Sequence, residues 1–231
     1  MNVALLLAGG CGTRMKCDIP KQLIKIKDKP LMCYALAALF DCELVDAVQI
    51  VLPEVYRDYM IAHIMEMSNC GKLLGFSNPG ETRQHSILNG LMDIEMTIDD
   101  EDIVLIQDGA RPLATQAIIR DCIERMDDYD GVMPVIPVKD AIYASRSGKS
   151  IDSLMKRDEL YAGQAPEAFI FGKYFRINME LANENRIDDI KGSTEAAILG
   201  GLNIKLIPGK EDNFKITTKE DLTRFISIVG F

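Results

Sequence analysis

The sequence predicts an α/β fold: a Rossmann-like, mostly parallel twisted sheet flanked by helices, with a β-rich dimerisation arm projecting from it. Three observations lead there. Strand and helix patterns alternate along most of the chain. The apolar run Asn2 to Leu7 passes straight into a glycine loop, Ala8-Gly9-Gly10-Cys11-Gly12-Thr13-Arg14-Met15. Ile103 to Gln107 is almost wholly apolar, as expected of a strand covered on both faces.

The elements follow in order. After Pro30, the residues Leu31, Met32, Ala35, Leu36, Leu39 and Phe40 recur at helical spacing. Ala47 to Leu52 reads as a strand closed by Pro53, and Tyr56, Met60, Ile64 and Met67 mark a second helix. Lys72 to Phe76 is a weaker strand pattern. Arg83 to Met92 is helical, with Ile87, Leu88 and Leu91 inward, and Asp99-Asp100-Glu101-Asp102 reads as a solvated turn. Ile118, Ile119, Cys122, Ile123 and Met126 outline a helix, and Gly131 to Pro137 a strand.

From Val138 to about Pro166 the alternation stops for longer than an ordinary connection allows. Val138 to Ala144 has β character, and Ser147-Gly148-Lys149-Ser150 looks like a turn. Such a stretch cannot bury itself, so it is expected to project as an arm and pack on a second copy, giving a homodimer. Beyond it, Phe175, Met179 and Ala182 fit a helix and Asn203 to Ile207 a strand. Leu222, Phe225, Ile226 and Val229 fit a terminal helix capped by Thr217 with Glu220.

A length of 231 residues suits one large domain with this excursion, and 48% hydrophobic residues can fill its core. The net charge of -9 argues against a general nucleic-acid binder, though local cations can still receive an anion in one cleft. The six cysteines form no C-x-x-C pair and there are two histidines, so no zinc site is expected. No basic region precedes the first strand and no apolar stretch is long enough to span a bilayer, so the expected location is the reduced cytoplasm, away from membranes.

Chemistry is expected at the carboxyl ends of the strands. Glycines let backbone N–H groups close around phosphate oxygens, and Arg14 and Lys21, in Pro20-Lys21-Gln22-Leu23, add full charges. No Gly-Lys-Ser/Thr follows the strand, so this is not a Walker A loop, and Met15 spoils a dinucleotide fingerprint. The pattern suggests one nucleoside triphosphate held by its phosphates. In Gln107-Asp108-Gly109-Ala110-Arg111-Pro112 a carboxylate ends a buried strand, where Asp108 is a natural Mg²⁺ ligand. In Glu211-Asp212-Asn213-Phe214-Lys215, a bend would bring Asp212 as a second ligand and Lys215 as a phosphate contact to the same site. In Gly80-Glu81-Thr82-Arg83-Gln84-His85-Ser86, a serine hydroxyl is available to a base edge. His85 reads as structural.

These motifs together resemble the cytidylyltransferases that act on methylerythritol phosphate or ribitol phosphate. The resemblance rests on the glycine loop with Pro20-Lys21, Arg83-x-x-Ser86-Ile87, Asp108-x-x-Arg111-Pro112, Gly163-Gln164-Ala165-Pro166-Glu167-Ala168-Phe169 and Asn213-Phe214-Lys215-Ile216-Thr217. It covers essentially the whole chain, 1–231, as one nucleotidyltransferase domain with the arm at about 138–166. It implies that Ala8, Gly9, Gly10, Gly12, Thr13, Arg14 and Lys21 hold the triphosphate of CTP, and that Gly80 and Ser86 meet the cytosine. It implies Asp108 and Asp212 at Mg²⁺, Lys215 on phosphate, and Arg111 and Arg157 on the acceptor phosphate, with Arg157 supplied by a partner's arm. The chain departs from the family's usual residues at Ala141, at Ala165-Pro166-Glu167 and at Thr194. The wording Leu160-Tyr161-x-Gly163-Gln164 and the Leu7-Ala8-Gly9-Gly10 loop are closer to the ribitol-phosphate branch, which puts ribitol 5-phosphate slightly ahead as acceptor. The implied reaction is attack of an acceptor phosphate oxygen on the α-phosphorus of CTP, releasing pyrophosphate and forming a CDP-polyol. A rival from another class is a nucleotide-binding regulatory module without turnover.

Overall fold

The computed structural model describes residues 1–10 and 19–230. The chain runs β1 (Asn2–Leu7), β2 (Lys25–Ile26), β3 (Lys29–Pro30), α1 (Leu31–Phe40), β4 (Ala47–Val51), α2 (Arg57–Ile64), β5 (Leu73–Ser77), α3 (Arg83–Ile94), β6 (Ile103–Asp108) and α4 (Gln116–Glu124). It continues through β7 (Gly131–Pro137), β8 (Tyr143–Ala144), β9 (Ser153–Leu154), β10 (Tyr161–Gly163), β11 (Glu167–Ile170), α5 (Phe171–Asn183), α6 (Ser193–Leu199), β12 (Ile204–Pro208) and α7 (Lys219–Val229).

The main sheet has the order β10-β7-β11-β6-β1-β4-β5, with β12 also paired to β7. β1 lies parallel to both β4 and β6, β4 is parallel to β5, and β12 is parallel to β7, while β10 and β11 run antiparallel. The sheet is therefore mixed but mostly parallel. The chain leaves β1 toward β4 and β5, then returns to add β6 on the other edge. This reversal makes the carboxyl ends of β1 and β6 a topological switch point, the usual ligand crevice of such sheets.

Side chains alternate between two buried layers, as the period-2 pleat requires. Ala4, Leu6 and Leu105 pack with α1, α2 and α4, whereas Val3, Leu5, Val104 and Ile106 pack with α3, α5 and α6. Asp108 lies two residues beyond Ile106, so it belongs to the α3/α5/α6 face. Ile26, Leu31, Ile216 and Phe225 form a third cluster that docks α7 beside the hairpin.

Several expectations shift by small amounts. The inner face of α5 is Phe171, Tyr174, Ile177 and Leu181, with Phe175, Met179 and Ala182 half-buried beside it. The α7 cap is Thr218 with Asp221, not Thr217 with Glu220: the Asp221 carboxylate accepts from the N–H groups of both threonines. The acidic turn is tied down, since Arg176 pairs with Asp100 at 2.7 Å. The arm ends earlier than Pro166. Val138 N–H donates to the Leu160 carbonyl at 3.1 Å, and Tyr161 to Gly163 already pair with β7 in the main sheet. The projecting part is therefore 138–160, carrying the small β8–β9 ladder. Among the described residues no helix is long and apolar enough to cross a membrane. Cys33, Cys42 and Cys122 are buried free thiols, and burial pushes the Cys33 pKa up to about 11.

Candidate active site

Register brings the first two motifs together. Asp108, the last residue of β6, lies beside Leu7, the last of β1, and Gly109 N–H donates to the Leu7 carbonyl at 3.0 Å. Asp108 is 7% exposed and has three cations around it. Lys215 Nζ lies 2.9 Å and Arg111 Nε 3.4 Å from Oδ2, and Arg83 Nη2 lies 3.3 Å from Oδ1. Burial alone would raise its pKa. The charges of Arg83, Lys215 and Arg111 outweigh that and hold it well below the usual carboxylate range.

The cluster draws on three segments: Arg83, the Asp108 to Arg111 turn and Lys215. Arg83 opens α3, where a cation opposes the helix dipole; the carboxylate of Asp108 supplies the compensation. Arg111 is 12% exposed, and its Nη1 donates to the Asn213 carbonyl at 2.6 Å. Asn213 is buried and donates to the Ala165 carbonyl at 2.8 Å. Ile216 N–H donates to the Ala110 carbonyl at 2.8 Å, and Lys21 Nζ donates to the Ile216 carbonyl at 2.7 Å. The segment after β12 is thus sewn between β6, β10 and the turn holding Lys21.

On the same face stands Glu167, in register with Ile106. Ser193, at the start of α6, donates its hydroxyl to Glu167 Oε2 and accepts from Arg83 Nη1 at 2.9 Å. Part of Glu167 reaches solvent, yet protein packs densely around the carboxyl. Burial raises its pKa to about 7, with Asp108 adding to the rise and Arg83 opposing it.

The glycine loop meets the Gly80 loop directly. A Cβ on Gly9 would lie 2.4 Å from Pro79 Cβ, and one on Gly80 would lie 2.3 Å from His85 Cβ, so neither position has room for a side chain. Ser86 Oγ accepts from Gly80 N–H at 3.1 Å and donates to the Thr82 carbonyl at 2.9 Å, closing the turn. His85 Nδ1 lies 2.9 Å from Asp188 Oδ1. Ala8 and Gly10 are held from below by Gln22.

The predicted residues thus divide. Ala8, Gly9, Gly10, Lys21, Gly80, Ser86, Asp108, Arg111 and Lys215 line the switch point or brace it. Gly12, Thr13 and Arg14 lie outside the described residues. Asp212 does not join the cluster: its side chain is 78% exposed and lies 3.5 Å from Arg224 Nη2. Arg157, 57% exposed on the arm, donates to the Lys139 carbonyl at 3.2 Å. Of the departures, Ala165 and Thr194 are buried and Ala141 is exposed. Sequence reasoning gave no role to Ser193, Gln22 or the Arg83 side chain. The usable signal was Arg83 itself, a cation at a helix start.

Asp108 can serve Mg²⁺. It is an ionised hard oxygen donor at a strand end, suited to an ion that takes one or two carboxylates and completes its shell with substrate phosphates and water.

The family model described as IspD, 2-C-methyl-D-erythritol 4-phosphate cytidylyltransferase, matches residues 2–230. A protein of that description from Geotalea uraniireducens is 32% identical over 221 residues, covering 95% of this chain and 92% of its own. A ribitol-5-phosphate cytidylyltransferase from Streptococcus agalactiae is 28% identical over 228 residues, covering 97% and 94%. The crystal structure of 4-diphosphocytidyl-2C-methyl-D-erythritol synthase from Anaerococcus prevotii superposes with a TM-score of 0.82 at 18% identity, covering 99% and 98%, which supports the fold. With a carboxylate ringed by cations at the switch point and a family match from end to end, the chain belongs to the IspD family of CTP-dependent cytidylyltransferases.

Proposed function

We propose that this enzyme transfers CMP from CTP to 2-C-methyl-D-erythritol 4-phosphate, releasing pyrophosphate. The observation that carries the phosphate chemistry is the convergence of Arg83, Arg111 and Lys215 on Asp108, with Lys21 bonded to the same late segment. The choice of acceptor follows the family description and the relatives at 32% and 34% identity. That order reverses the lean toward ribitol 5-phosphate. Part of the wording behind the lean lies in β10, where Gly163 leaves room for the Met133 sulfur, a packing demand independent of the acceptor. Ribitol 5-phosphate stays the second reading, on the strength of the Streptococcus agalactiae relative.

In this reading the acceptor's phosphate, already largely dianionic at neutral pH, needs no general base. The protein's work is to bring two anions together and to stabilise the charge that develops. Arg14, Lys21 and Lys215 are assigned to the triphosphate, Gly80 and Ser86 to the cytosine, and Arg111 with a partner's Arg157 to the nucleophile. Asp108 would hold Mg²⁺, which would neutralise phosphate charge when bound; Asp212, exposed beside Arg224, is given no part in it. The test is pyrophosphate release with CTP and Mg²⁺ against each polyol phosphate. Turnover is expected with methylerythritol phosphate above ribitol phosphate, and with CTP far above ATP or GTP. Faster use of ribitol phosphate would overturn the acceptor; equal use of ATP would overturn the nucleotide.

Two variants separate the half-sites. Lys21→Ala is expected to lose mainly turnover, by roughly 2–4 kcal/mol of barrier. Arg157→Ala is expected mainly to raise the acceptor KM. The exposed Ile142, Tyr143, Leu154 and Met155 of the arm support a homodimer. A fully active monomer in sedimentation at micromolar concentration would remove the role across subunits.

A further inference from the structure

We infer that Gln22 is a positioning residue for the triphosphate, acting through the glycine loop. The inference rests on the proposed use of that loop for CTP. Gln22 is 3% exposed, in the single turn Lys21–Leu23. Its Nε2 donates to two loop carbonyls, that of Ala8 and, at 2.7 Å, that of Gly10. An amide nitrogen has two hydrogens, so both are spent on this loop.

The geometry orients the backbone. In a trans peptide the C=O and the following N–H point in opposite directions. Drawing the Ala8 carbonyl toward Gln22 therefore aims the Gly9 N–H away from it. Ala8 N–H is already committed to the Val51 carbonyl at 2.9 Å, which fixes the loop's first residue to the sheet. Among the described residues a Cβ on Gly10 would meet nothing within 4 Å. Gln22 thus secures Ala8 to Gly10 by their carbonyls and leaves the Gly9 N–H for an anion. Its neighbour Lys21 donates to the Ile216 carbonyl. One short turn therefore sets the glycine loop and a phosphate-binding cation relative to each other.

The amide is what matters, more than the volume it fills. Gln22→Met keeps the length and removes both donors. Gln22→Glu keeps the shape and turns a carboxylate toward two carbonyl oxygens. The experiment measures calorimetric affinity for CTP and for CMP in the wild type and both variants, beside thermal melting. CTP affinity is expected to fall about tenfold or more in each variant, the scale of two lost hydrogen bonds. CMP affinity is expected to change less than twofold, because it lacks the β- and γ-phosphates. Equal losses for CTP and CMP, or no loss of either in a folded variant, would overturn the inference. If neither variant folds, Gln22→Asn, which keeps both donors on a shorter arm, carries the same comparison. Failure of the wild type to bind CTP would instead count against the proposed function.

Discussion

Asp108→Asn is expected to lower stability by about 3 kcal/mol, the scale of removing one partner from a buried charge cluster. It is expected to reduce turnover by at least about a hundredfold as well. The substitution keeps the volume and removes the carboxylate charge that Arg83, Arg111 and Lys215 directly contact. Three cations then repel one another across a site that water reaches poorly. The same change leaves those cations available to an anion, so CTP without Mg²⁺ is expected to protect the variant against denaturant more than it protects the wild type. Urea unfolding with and without CTP, beside steady-state rates, checks both parts. Normal stability would mean that the cations are not held by Asp108, and normal turnover would remove it from the reaction.

Glu167→Gln is expected to change how stability depends on pH. In the unfolded chain this carboxyl titrates near its ordinary 4.5, and in the fold near about 7. Between those values the folded state binds the proton and the unfolded state does not. Stability therefore falls as pH rises through this window, by on the order of 3 kcal/mol for a shift of this size. Asp108 acts with the opposite sign: its contribution is present above the ordinary carboxylate value and is lost in more acidic solution. Glutamine can still accept the Ser193 hydroxyl, but carries no charge to desolvate. The variant is expected to match the wild type near pH 4.5 and to exceed it above pH 7. Parallel melting curves across this range would show that Glu167 is ordinary in its titration.

What the sequence made legible is what is encoded locally. A strand followed by glycines, and a carboxylate ending an apolar strand, need no knowledge of distant residues, and both stand at the switch point as expected. Arg83, Ser193 and Glu167 could not be assembled that way. Their meeting depends on which helix start faces which strand end, a fact set by topology. Asp212 and Lys215 show the limit in detail. A bend was expected to bring them together, but Asn213 between them is tied to Arg111 and Ala165, and the two side chains leave in different directions. The end of the arm was missed because a three-residue strand such as β10 carries too little alternation to register.

The contact of Gly9 with Pro79 bears on how this fold can be re-engineered. The loop proposed to read the base is no interchangeable cassette, because its proline occupies the space that a side chain at Gly9 would need. Grafting a different base-reading loop between β5 and α3 would leave either a clash or a gap under Gly9. On the proposed reading the two loops are one packed unit, and a donor scaffold would have to supply both.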